Sequence, residues 1–162
     1  YVIFIKQLQI LSLFNKKINL ISDVEKIIFI DNKIEINKIF FNIFKENKIL
    51  INTFNKNINS LSDFYIFLNS IKIYLEIIKN SNDRDAALYN FPKYLFAEKD
   101  VFLAIYKKTN KDKLIKIYQN LSKVELLIRQ NSELYLIIGL RFFLNLKKII
   151  ISWVFSLSHQ AD

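Results

Sequence analysis

Residues 111–130, KDKLIKIYQNLSKVELLIRQ, decide the fold. Their apolar positions Leu114, Ile117, Tyr118, Leu121, Val124 and Ile128 recur with a period of about 3.6, whereas a half-buried strand would alternate at every second residue. Lys113, Lys116, Gln119, Asn120, Ser122 and Lys123 occupy the other side, which makes the stretch an amphipathic helix. Asn110 stands where a side chain can cap the first free amides, and Asp112 sits where a negative charge favours the helix dipole.

The same period extends outward in both directions. Ser60 should open a helix from about Leu61 to Ile78, with Leu61, Phe64, Tyr65, Leu68, Ile71, Leu75 and Ile78 on one stripe, widened by Phe67 and Tyr74. Ile36, Ile39, Phe40 and Ile43 mark an earlier helix, and Ile51, Phe54 and Ile58 continue after a break near Asn47. Ser22-Asp23-Val24-Glu25 has the capping-box pattern and predicts a short helix over Ile27 and Ile28. Asn80-Ser81-Asn82-Asp83 reads as a loop, followed by a helical stretch from Asp85 to Tyr89 that Phe91-Pro92 interrupts.

Ser132 to Ile151 is apolar nearly all round, with Arg141, Asn145 and Lys148 as a narrow polar stripe. A membrane span needs about 20 apolar residues, and Arg141 with the Lys147-Lys148 pair interrupts this one. The expected cover is protein rather than lipid.

Composition supports helices over sheets. The 162 residues are 52% hydrophobic, which is ample for a core, and hold a single Gly and a single Pro, which leaves little material for tight turns or phosphate loops. Cysteine is absent, so disulfides, thiolate metal sites and thiol nucleophiles are excluded together. The chain opens on Tyr1 rather than Met and is read as a piece of a longer protein. A net charge of +9 would suit nucleic acid or an anionic membrane. The lysines are scattered, however, in no block longer than pairs such as Lys16-Lys17 and Lys107-Lys108. Ile, Lys, Asn, Phe and Tyr, which share AT-rich codons, are over-used together, so a dispersed solvated surface is the reading preferred over a phosphate-tracking patch.

No catalytic, cofactor or metal residues are expected. His159, the single histidine, lies in the polar tail Ser158-His159-Gln160-Ala161-Asp162, away from any triad or metal cluster. Asp83 and Asp85 flank Arg84, where helix capping explains them more simply than acid/base chemistry. Gly139, the sole glycine, is inside the last helix, so no Gly-rich nucleotide motif exists and close helix packing is its expected role. Aromatic residues such as Phe40, Phe64 and Tyr118 fall on the apolar stripes and belong to the core, while Tyr94, Phe96 and Tyr106 beside the loop are open to another role such as base stacking.

The order of these segments resembles the C-terminal part of the delta subunit of bacterial DNA polymerase III, over about residues 5 to 147. Leu20-Ile21-Ser22-Asp23-Val24 is similar to that family's "IT..DV" after a lid helix, and Ser60-Leu61-Ser62-Asp63-Phe64-Tyr65-Ile66-Phe67-Leu68 to the opening of its long helix. Asp85-Ala86-Ala87-Leu88, then Phe91-Pro92-Lys93-Tyr94-Leu95 and Phe102, resemble its small-residue helix and "PP.FF" stretch, with one of the two prolines present. Val124-Glu125-Leu126-Leu127-Ile128-Arg129 is similar to "AE..LK", and Glu133 to Leu146 to the terminal aliphatic helix.

The resemblance implies an all-α helical bundle of the clamp-loader collar type, residues 34–150, preceded by the end of an AAA+ lid, residues 1–33. Residues 151–162, with Trp153, form a tail outside the pattern. It implies a cytoplasmic, bacterial, non-catalytic subunit without cofactor, held in a hetero-pentamer with other clamp-loader subunits. The sliding clamp would be contacted through an N-terminal part that this sequence lacks, and DNA only indirectly. Leu134, Ile138, Phe142 and Leu146 are the residues expected to pack against neighbouring subunits. The alternatives are an independent basic helical protein that binds nucleic acid, whose affinity would fall steeply with salt, and a membrane-associated helical protein.

Overall fold

A computed structural model describes residues 32–152. The capping box at Ser22 to Glu25, the lid-like segment up to residue 31, Trp153 and the tail with His159 lie outside the described residues. Within them the chain is all-α: 88% helical, without strands, in seven α-helices. These are α1 (Asn32–Lys38), α2 (Asn47–Asn57), α3 (Leu61–Asn80), α4 (Arg84–Tyr89), α5 (Lys99–Lys108), α6 (Lys111–Gln130) and α7 (Tyr135–Ile151), with short 3-10 segments after α1, before α5 and before α7.

Side-chain caps set three of the helix starts. Ser60 accepts from the Asp63 amide at 3.1 Å, Asp83 from the Ala86 amide at 2.8 Å and Asn110 from the Lys113 amide at 2.9 Å. Each satisfies one of the amides that a helix start leaves without an intrahelical partner. Asp63 also reaches back to the Asn59 amide at 3.1 Å, so the start of α3 is held from both sides.

The first helix departs from a uniform α period. After Lys38 the chain tightens into the 3-10 segment Ile39–Phe44, then turns extended at Lys45 and Glu46, where ψ is 164° and 151°. Tighter winding brings Ile39, Phe40, Phe41 and Ile43 all into the core. The break thus falls just before Asn47, which is the first residue of α2. Leu50 and Phe54 anchor α2, and Ile58 follows directly after it.

The last helix is central: α7 lies against α2, α3, α5 and α6, and its antiparallel pairing with α6 is the most extensive helix pair. Gly139 explains the close approach at its first half. A Cβ there would lie 2.8 Å from Phe54 Cζ and would overlap the buried Phe64 ring, so any side chain would force these rings to shift. Phe54, Phe67 and Phe143 interlock nearby, with Phe54 edge-on to Phe67 at 5.4 Å and Phe67 edge-on to Phe143 at 5.3 Å. Such pairs add about 0.5–1.5 kcal/mol each beyond the area they bury. A second aromatic group sits at the other end of α3, where Phe40 stacks on Tyr74 at 5.4 Å and Phe91 stacks on Phe102 at 4.6 Å.

One assignment from the sequence is corrected. Lys113 was placed on the solvent side of α6, yet it is only 7% exposed. Its ammonium donates to the carbonyl oxygens of Lys108 at 3.0 Å and Ile150 at 2.9 Å. The cation therefore sits at the C-terminal ends of α5 and α7, where both helix dipoles present their negative pole. Burial and the neighbouring Lys108 push its pKa below the usual lysine value.

Candidate functional site

Among the described residues no group of His, Cys, Asp or Glu is arranged to hold a metal ion, and no helix is long and apolar enough to cross a membrane. The polar side chains with shifted pKa values are tied into structure. Tyr74, in the core, donates to the Asn37 carbonyl at 3.1 Å, and burial pushes its phenol well above the usual value. Tyr118 donates to Glu76 at 2.6 Å; burial raises the phenol, and this bond holds the carboxylate below the usual glutamate range. Asp83 is the N-cap of α4, its side chain committed to the Ala86 amide, and Asp85 lies in the first turn of that helix.

What the chain offers instead is apolar surface at the corner between α6 and α7. The turn is made by Asn131, whose amide and side chain both bond to the Leu127 carbonyl, and by the 3-10 segment Ser132–Leu134. Leu126 and Leu127 on the last turns of α6 are exposed, Leu126 at 57%. Leu134, Leu136 and Ile137 are exposed on the other side of the turn, Ile137 at 68%. All five lie within about two helical turns of Asn131, so they share one end of the hairpin. The Tyr135 hydroxyl donates to the Asn59 carbonyl at 3.1 Å, which pins the start of α7 to the loop before α3. The corner thus carries five exposed aliphatic side chains beside a helix start tied to the rest of the bundle.

The four residues expected at an interface divide. Leu134 is exposed at the corner and Ile138 is half-buried against the core. Phe142 and Leu146 are inside the chain's own core, 4% and 1% exposed, and no neighbour reaches them without opening it. The reason is helical drift: each step of four residues advances about 40° round the axis, so a row that starts outside at Leu134 ends facing the core. Leu136 and Ile137 occupy the outward face in their place. Leu126 and Leu127 carried a signal, since both lie off the buried stripe of α6 marked by Ile117, Leu121, Val124 and Ile128. The polar stripe Arg141, Asn145 and Lys148 is exposed as its spacing requires.

The aromatic residues near the loop also separate. Tyr94 and Phe96 are exposed, Tyr94 accepting from the Asn37 amide at 3.2 Å and Phe96 lying under the Lys99 ammonium at 4.4 Å. Tyr106 is half-buried, its hydroxyl donating to the Ser81 carbonyl at 3.1 Å. Comparisons with family models, curated proteins and solved structures give no match.

Proposed function

We propose that this chain is a non-catalytic interaction module of a bacterial clamp loader of the DNA polymerase III type, holding its subunit in the hetero-oligomeric ring that places the sliding clamp on DNA. The observation that carries the reading is the exposed row Leu126, Leu127, Leu134, Leu136 and Ile137 on a helical corner. Single exposed aliphatic residues are ordinary, whereas five at one corner present apolar area of the kind that becomes the core of a protein interface. The corner belongs to the helix pair that resembles the family's last two collar helices, and the resemblance gives the collar domain, residues 34–150, the task of ring assembly.

The test is light scattering on a size-exclusion column with the chain alone and then mixed with the other loader subunits, at moderate salt to screen nonspecific charge contacts. A discrete heteromeric peak is the expected result. A chain that ignores those subunits and binds bare DNA with a steep salt dependence would overturn the reading in favour of a basic nucleic-acid-binding protein.

A further inference from the structure

A second surface, toward the opposite end of α6 from the α6–α7 corner, has a different chemistry. The C-terminal ends of α3 and α5 and the first turns of α6 enclose a groove of about 660 Å³, and a smaller one of about 340 Å³ adjoins it, sharing Tyr106 and Lys107. Aliphatic side chains line both: Ile78, Leu114 and Ile115 in the larger, Leu103 and Ala104 in the smaller. Ile115 is 48% exposed, so part of this lining is open to solvent.

The charges along this track have one sign. Lys79, Lys107 and Lys111 line the larger groove and Arg84 the smaller, and no carboxylate lines either. Lys79 has a long contact to Glu76 at 3.9 Å, while Arg84, Lys107 and Lys111 pair with no acid among the described residues. Both tyrosine hydroxyls are committed, Tyr106 to the Ser81 carbonyl and Tyr118 to Glu76, so they offer no spare donor for reading a polar ligand.

The geometry points to an acidic, amphipathic segment of a protein partner as the occupant of this groove. Its apolar face would cover Leu114 and Ile115 over a floor formed by the buried Ile78, while its carboxylates meet Lys107, Lys111 and Arg84, the helix-in-groove mode of recognition with charge complementarity supplying the specificity. A nucleic-acid strand fits less well, because stacked bases need open aromatic faces, whereas the two tyrosines of the lining are half-buried and the Tyr118 ring already has the Lys79 ammonium over it at 5.9 Å. A compact small molecule would leave the second chamber and Arg84 unused. The inference does not depend on the clamp-loader reading.

The experiment uses the full chain and a fluorescein-labelled peptide of about 15 residues, roughly four helical turns, with Leu on one face and Glu on the other. Three comparisons accompany it: the same composition scrambled so that no apolar face forms, an oligothymidylate of similar charge, and oleate as a competitor. Binding of the amphipathic peptide is expected to be at least about tenfold tighter than that of the scrambled one, and to weaken about tenfold in the double variant Lys107→Glu, Lys111→Glu. Ile115→Asn, an exposed change, should weaken it several-fold with an unaltered helical circular dichroism spectrum. Equal binding of the scrambled peptide, tighter binding of the oligonucleotide, displacement by equimolar oleate, or indifference to both variants would each overturn the proposal.

Discussion

The Lys113 ammonium donates to the Ile150 carbonyl oxygen across 2.9 Å, joining the first turn of α6 to the last turn of α7 over 37 residues of chain. The same group holds the Lys108 carbonyl at the end of α5, so one cation closes three helix ends. Replacing it by Met keeps the stem and removes the donor, leaving two carbonyls short of a partner. Lys113→Met should lower the unfolding free energy by about 1–3 kcal/mol, read from the urea midpoint at unchanged m-value. An unaltered midpoint would mean that water replaces the ammonium at both carbonyls.

Gly139 is a packing glycine. In a solvent-exposed helix Gly→Ala gains about 1 kcal/mol, but here the added methyl meets the Phe64 and Phe54 rings, and overpacking of a filled core costs about 1–3 kcal/mol. Gly139→Ala is therefore expected to destabilise on balance, and Gly139→Leu to do so far more. A thermal melt that rises in the alanine variant would show that the rings yield without strain.

Tyr118 and Glu76 predict a pH effect with a definite sign. The phenol's hydrogen bond is the largest effect and lowers the carboxylate's pKa; burial opposes it, and Lys79 and Asn80 add smaller lowering effects. Stability from this depressed carboxylate is fully present above the usual glutamate pKa and is lost as pH falls through the folded value. Tyr118→Phe should raise the Glu76 pKa toward the usual value in a carboxyl-carbon NMR titration. The stability gap between the two proteins should shrink as the medium becomes more acidic than the folded pKa of Glu76 in the wild type. A Glu76 titration unchanged by the substitution would remove the hydroxyl as the cause.

Much of this fold was legible because period and caps agree. The α6 stripe, the Ser60 and Asn110 caps and the exposed row Arg141, Asn145 and Lys148 follow from spacing alone. The 3-10 winding over Ile39–Phe44 did not, since an apolar run with Phe40 and Phe41 adjacent carries no period that separates the two helix types. Lys113 was misassigned because its partners are backbone carbonyls of α5 and α7, which only the tertiary arrangement brings within reach. The exposed apolar face was half legible: helix α7 has apolar residues all round, so the sequence announced surplus apolar area but not which face the core would take. The groove at Tyr106 and Lys107 was not legible at all, being assembled from the ends of three helices.

Core and corner on α7 should respond oppositely to substitution. Phe142→Ala empties a buried site and is expected to cost about 3–5 kcal/mol of stability. Ile137→Lys changes a residue that is mostly exposed and should alter stability by no more than about 0.5 kcal/mol. Comparable losses in urea melts of the two variants would contradict the placement of α7.

We propose that the apolar corner is where this chain meets neighbouring subunits, and sedimentation velocity on stoichiometric mixtures with clamp-loader subunits tests this most directly. The account predicts a single heteromeric boundary for the wild type, and its dissociation into free species for the folded double variant Leu136→Lys, Ile137→Lys. A mixture in which the wild type sediments alone, or in which the double variant assembles as well as the wild type, would contradict it.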